Sequence, residues 1–311
     1  MLKAAVALLV GIIVFGFGLG TMRRGLGALT ESAAVRWLKR LDGRPASAFT
    51  AGLAVTAAMQ SSSASTILLV GLVGAGLLRF ETAVPVVLGA NVGSAITLFI
   101  LGLPIERRFV PLLAISAFLM IIPRREVRAF GQALFGLLGA LAGLAAIGAG
   151  ARTLAHSTPE LFTHLGHAAH PAEPLIAGVI VTAVIQSSTA AGAIAASWLE
   201  AGLAHLPAAV AFIIGANIGT CLDTVLAGVL SPRPGRWIAE WHVLLNVVGA
   251  VVFYPAIDLL ASIVAPLPSA LEQIAMAQLV FNALSAALFL PWTGTIARWI
   301  VAVDERLFPA D

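Results

Sequence analysis

The sequence predicts an all-α integral membrane protein of two inverted repeats, each with a re-entrant or broken-helix hairpin at a polar tract. Three observations lead there. Of 311 residues, 59% are apolar and 11% charged, whereas soluble domains run at about 45–50% apolar and about 25% charged. Two apolar segments, 46–78 with no charge and 174–202 with Glu200 alone near its end, exceed one crossing and are polar at their middles. The polar middles recur at an offset of 126 residues.

The composition excludes several classes. With a mean hydropathy of +0.99, 33 Lys, Arg, Asp and Glu residues cannot coat a soluble body of this size. Disorder, coiled coil and collagen each need more charge or a strict short period. The net charge of +3 sits in short loops, as cytoplasmic anchors do, and implies no nucleic-acid partner. Cys221 stands alone and cannot form an internal disulfide. The run Ala4–Gly20 follows one Lys and continues into Thr21-Met22-Arg23-Arg24 without a clean cleavage site, so it reads as a retained first span.

Apolar runs between charges place spans at about 4–21, 46–78, 83–103, 109–122, 129–150, 174–202, 208–230, 241–265 and 274–303. The second and sixth carry Gln60-Ser61-Ser62-Ser63 and Gln186-Ser187-Ser188-Thr189 at their middles. Such a tract facing lipid would leave polar groups unpaired. Two shorter arms meeting at a polar tip explain both the length and the tract.

The 126-residue shift superposes Thr56 on Thr182, Gln60 on Gln186, and Gly89-Ala90-Asn91 on Gly215-Ala216-Asn217. A smaller echo at 36 carries Ala239, His242, Asn246 and Pro255 onto Ala275, Gln278, Asn282 and Pro291. Two dipping segments would invert the halves; two full crossings would make them parallel. Residues 22–45 carry six Lys or Arg, while 151–173 carry Arg152 and four His. Matching loops of opposite character favour opposite sides of the membrane, hence inversion. The chain is one transmembrane transport domain, with repeats at about 1–128 and 129–311.

Paired, polar-interrupted segments in two halves are the sequence pointer to a transporter binding site. A helix starting at mid-membrane offers free N–H groups and a positive dipole end. Hydroxyls and N–H groups suit a tetrahedral oxyanion, while Gln, Asn and hydroxyl oxygens suit a hard cation such as Na+. The glycines of GANVGS (89–94) and GANIGT (215–220) allow close backbone approach or unwinding. The inferred core holds no Lys or Arg, so cations are expected to neutralise the anion.

The residues also carry a resemblance. Two QSSS-type tracts, each followed by a GANIGT-type segment, resemble the type II sodium–phosphate cotransporter family. GFGLGTM (16–22), RAFGQALFGLLGALAGL (128–144), AEWHVLLN (239–246) and AQLVFN (277–282) extend the likeness over nearly the whole chain. The resemblance implies an inverted-repeat fold and Na+-coupled phosphate transport. It assigns phosphate and sodium sites to Gln60, Ser61, Ser62, Ser63, Gln186, Ser187, Ser188 and Thr189, and extends to Asn91, Asn217, Ser94, Thr97 and Thr220. It further implies a bacterial member, without the C-terminal regulatory domain of some relatives.

Three positions depart from the family pattern. Thr189 adds a methyl group to a tract hydroxyl. The first half lacks the His and Asn found at His242 and Asn246. Asp223 aligns with Thr97, where the family more usually has Thr; it is expected to bind a cation or proton, or else to cap a helix or pair with His242. His242 and Asn246, like Gln278 and Asn282, share a helix face and read as polar glue between helices. His156, His164, His167 and His170 fall in an irregular polar loop that lacks the Cys or carboxylate cluster of a metal site.

The expected function is secondary active transport, coupling Na+ to inorganic phosphate by alternating access. The alternatives are another oxyanion or dicarboxylate, or a membrane lipid-phosphate phosphatase. No enzyme activity and no cofactor beyond Na+ as coupling ion are expected. Expected partners are phosphate, Na+, the bilayer of the inner or plasma membrane, and a second copy in a homodimer.

Overall fold

The computed structural model describes residues 2–41, 44–102, 109–157, 168 and 170–307, and every regular element among them is helical. The first half comprises α1 (Leu2–Lys39), α2 (Pro45–Met59), α3 (Ser62–Gly74), α4 (Phe80–Leu101) and α5 (Phe109–Ile121). The second comprises α6 (Arg125–Ser157), α7 (Ala172–Ile185), α8 (Ser188–Glu200), α9 (Leu206–Gly219), α10 (Cys221–Val229) and α11 (Arg233–Phe253). After a 3-10 turn at Tyr254–Ala256 follow α12 (Ile257–Val264), α13 (Ala270–Phe289), a second 3-10 turn at Leu290–Trp292, and α14 (Thr293–Leu307).

Both sequence repeats reappear as structure. Adding 126 to the bounds of α3 gives those of α8, and α2 likewise falls on α7 within one residue. The offset of 36 carries α11 onto α13 and one 3-10 turn onto the other. Each 3-10 turn holds its proline at Pro255 or Pro291, where the missing N–H interrupts the helical ladder. Within the matched helices, α4 runs unbroken for 22 residues, while its counterpart breaks at Thr220 between α9 and α10.

Six helical stretches among the described residues are long and apolar enough to cross a membrane, and shorter apolar helices include α2, α3, α5 and α7. The chain is a multi-pass membrane protein. Helix α4 lies centrally, with 83% of its span window buried, against 33% for Val6–Thr30 of α1. Leu9, Ile13 and Phe17 of α1, Ile180 and Val184 of α7, and Leu259 and Ile263 of α12 are exposed. Such apolar outer faces suit lipid contact. Phe15, Leu19 and Met22 of α1 join Leu98 of α4, Ile213 of α9 and Ile274 of α13 in one buried cluster that unites the halves.

The region 22–45, read from its charges as a loop, is largely helix. Helix α1 continues to Lys39 because no proline precedes Asp42-Gly43 and, past Gly25 and Gly27, Ala28–Lys39 is rich in Ala, Leu, Glu, Arg and Lys. At 38 residues it spans roughly 57 Å, well beyond a bilayer core of about 30 Å. Likewise α6 runs to Ser157. Of the loop histidines, His170 is exposed; His164 and His167, and the side chain of His156, lie outside the described residues.

The glycines of the two GAN segments are packing devices. A Cβ on Gly89 would strike the Phe49 carbonyl of α2, and one on Gly215 the matching Leu175 carbonyl of α7. Helix backbones meet there without side chains between them. Gly89→Ala is expected to lower unfolding stability by about 1–3 kcal/mol through overpacking. Gly71→Ala, whose Cβ meets nothing within 4 Å, serves as the neutral control in thermal unfolding of the detergent-solubilised protein.

Candidate functional site: two broken helices around one cavity

Each polar tract is a helix break of the same shape. Gln60 closes α2 at φ 56, ψ 30, and Gln186 closes α7 at φ 54, ψ 37. They are the only non-glycine residues at positive φ among the described residues. A left-handed residue reverses the helical sense for one step and ends the hydrogen-bond ladder. Ser61 and Ser187 then extend, at φ -154 and φ -151, and each caps the next helix. The Ser61 hydroxyl accepts from Ala64 N at 3.1 Å and that of Ser187 from Ala190 N at 3.2 Å. The sequence Gln-Ser-Ser thus encodes stop, cap and restart, because a serine at the N-cap satisfies one of the orphan N–H groups.

The two restarts face one small cavity. It is lined by Arg23, Gln60, Ser61, Ser62, Ser63, Ser94, Gln186, Ser187, Ser188, Thr189 and Thr220. The side chains leave about 10 Å³, room for roughly one water. All eight tract residues predicted from sequence come together there, with Ser94 and Thr220. The last two donate back to their own helices, Ser94 to Asn91 O at 2.7 Å and Thr220 to Asn217 O at 2.8 Å. Gln60 and Gln186 donate their amide N–H groups to Ala57 O and Ala183 O. Their buried Oε1 atoms have no protein partner.

The expectation that the core holds no Lys or Arg is overturned. Arg23 reaches both tracts, donating from Nε to Gln60 O at 2.9 Å and from Nη2 to Ser187 Oγ at 3.3 Å. It does so because α1 stays helical past the first span, so the guanidinium leaves mid-helix and not from a cytoplasmic loop. Together with the starts of α3 and α8, whose free N–H groups carry partial positive charge, Arg23 makes this wall electropositive.

Four predicted site residues lie elsewhere. The Asn91 amide donates to Asn246 Oδ1 at 3.0 Å and Asn217 to Ile213 O at 2.8 Å, so neither amide faces the cavity. Thr97 is buried on α4 with its hydroxyl unpartnered. Asp223, on α10, does not line the cavity but lies within electrostatic reach of Ser63 and Arg23; its Oδ1 is unpartnered. The expected alternative pairing with His242 does not form. His242 Nδ1 instead meets Thr224 Oγ1 at 3.0 Å, and Thr224 meets Thr66 of α3 at 3.1 Å.

The reading of polar glue holds for His242, Asn246 and Asn282 but not for Gln278, whose buried amide nitrogen and oxygen both lack a partner. Asn282 Nδ2 donates to Asn91 O at 2.9 Å, and Asn246 Oδ1 accepts from Asn91 Nδ2 at 3.0 Å. These amides tie α11 and α13 to α4. Cys221 is buried beside them, its thiol directed to Asn217 O and His242 O. Among the described residues no three His, Cys, Asp or Glu gather as a metal cluster.

Comparison with known proteins agrees with this architecture. Residues 14–149 and 140–288 match, in two successive copies, the family described as Na+/Pi-cotransporter. The protein YqeW of Bacillus subtilis (strain 168) is 30% identical over 293 residues, covering 93% of this chain and 94% of the relative. The "Putative inorganic phosphate export protein YjbB" of Escherichia coli (strain K12) is 30% identical over 305 residues; the match covers 96% of this chain but 54% of that protein. The sodium-dependent phosphate transport protein 2A of Rattus norvegicus is 39% identical over 59 residues, 19% of this chain and 9% of the relative. No solved structure matches the chain significantly. A duplicated family match over most of the chain and full-length likeness to YqeW place the chain in the Na+/Pi-cotransporter family.

Proposed function

We propose that the chain couples Na+ to the movement of inorganic phosphate across the cell's inner or plasma membrane by alternating access. The observation that carries this reading is the convergence of two matched helix breaks on one cavity. The starts of α3 and α8, the hydroxyls of Ser61, Ser62, Ser63, Ser187, Ser188 and Thr189, and Arg23 together hold the anion. Relatives named for phosphate export and sodium-dependent phosphate transport support phosphate as the substrate.

The buried Oε1 atoms of Gln60 and Gln186 support a cation beside the anion. An acceptor left unpaired in the interior costs about 1–3 kcal/mol, and Na+ satisfies such oxygens as a hard cation does. Asp223, with one carboxylate oxygen unpartnered, adds a charged ligand. The repeats, at about 1–128 and 129–311, have inverted topology in this reading, and the two broken helices enter from opposite sides. With room for roughly one water, the cavity is in its closed form; phosphate entry requires one half to move away from the other.

The test is flux in proteoliposomes. An inward Na+ gradient is expected to accelerate uptake of labelled phosphate at least about tenfold over the same gradient of K+. Uptake indifferent to Na+ removes the coupling; absence of phosphate flux removes the substrate. Competition by arsenate but not by sulfate or succinate separates phosphate transport from the movement of another oxyanion or a dicarboxylate.

A further inference from the structure

Arg23 stands out because nothing in the repeat requires it. Helix α6, the counterpart of α1, carries neither Lys nor Arg from 129 to 151. Asp223 is equally without a twin, since Thr97 stands at its repeat position. The two unmatched charges lie close enough to interact electrostatically, and Ser63, which lines the same cavity as Arg23, is also within reach of the Asp223 carboxylate. No direct ion pair joins them. Arg23 instead spends two donors bridging the tracts, to Gln60 O and Ser187 Oγ, in the space the anion must occupy.

We infer that Arg23 is the fixed counter-charge of the transported anion and that anion binding exchanges it away from Asp223. In the empty site the guanidinium holds the two tracts together and balances the Asp223 carboxylate. An arriving phosphate takes the fork of Arg23, which fits two oxygens of a tetrahedral oxyanion. Asp223 is then left with an uncompensated charge and an unpartnered oxygen, and it takes up Na+. The anion therefore raises the affinity for the cation, and reciprocity makes the cation raise the affinity for the anion. The inference rests on the phosphate-transport reading above and adds to it the device that links the two ions.

Equilibrium binding of labelled inorganic phosphate to the purified full chain tests it, with Na+ or with the same concentration of choline, which is too large for the site. Arg23→Gln is expected to weaken phosphate binding about tenfold or more in both media. Arg23→Lys keeps the charge but loses the planar fork, and is expected to fall between the two. Asp223→Asn is expected to bind phosphate more tightly than wild type in choline, about threefold, because Arg23 has lost its competitor. The same variant loses the gain that Na+ gives wild type. A merely structural Asp223 would produce neither change.

Wild type that binds no phosphate removes the transport reading itself. Wild type that binds while Arg23→Gln stays within about twofold of it overturns this inference alone. So does Asp223→Asn with the full Na+-dependent gain. Thermal unfolding of each variant accompanies the binding data; if Arg23→Gln does not fold, Arg23→Lys and Asp223→Asn decide by the same criteria.

Discussion

Replacing Ser187 with Ala is expected to weaken phosphate binding about tenfold to a hundredfold, because one hydroxyl serves two helices and the cavity at once. Its oxygen accepts from Ala190 N at 3.2 Å and from Arg23 Nη2 at 3.3 Å. Both acceptor positions are filled, so its proton remains as the donor for an anion. Removing it costs a charge-assisted hydrogen bond, about 1.5–3 kcal/mol, and the α8 cap, about 1 kcal/mol. The first part appears in the phosphate Kd, the second in thermal unfolding. Ser187→Thr, which retains a cap, should recover most of the stability. Phosphate binding by Ser187→Ala at wild-type strength would remove Ser187 from the site.

The second large effect lies away from the cavity. Asp304 of α14 is 2% exposed and fastens α14 to the start of α11. It accepts from Arg233 Nε, from Arg236 Nη2 at 2.9 Å and from Trp237 Nε1 at 2.8 Å. Removing one partner of a buried pair costs about 3–5 kcal/mol, because the remaining charge stays desolvated. Arg233 and Arg236 are 29% and 35% exposed, so water relieves part of that penalty. Asp304→Ala is therefore expected to destabilise by about 3 kcal/mol, the low end of that range. In the fraction that folds, phosphate affinity should match wild type. A large drop in melting temperature with unchanged Kd is the expected pair of readings; unchanged stability would show that solvent already screens the cluster.

The membrane class, the helix breaks and their equivalence are legible in the sequence because each is local. Gln60-Ser61-Ser62 and Gln186-Ser187-Ser188 carry their own stop and cap, and the 126-residue offset brings the second break into the register of the first. Arg23 is not legible in that way. Its partners lie 37 and 164 residues away, and a double arginine after an apolar run has the local signature of a loop anchor. The absence of proline from Met22 to Leu41, with the helix formers of Ala28–Lys39, was the available signal. Asn91 and Asn217 show the opposite failure. Their motif is conspicuous, yet Asn246 Oδ1 and Ile213 O take their amides, and helix packing, which no local pattern states, decides which face turns to the cavity.

The near-identical dihedrals of Gln60 and Gln186 carry a mechanical consequence. Two joints bent alike, with the same caps beyond them, store the same conformational energy, so neither gives the molecule a preferred resting pose. Any lean toward one side comes from what the duplication did not copy: Arg23, Asp223, the break at Thr220 that α4 lacks, and α12 to α14. A duplicated frame of this kind behaves as a balanced beam, and a pair of unmatched charges is enough to tip it.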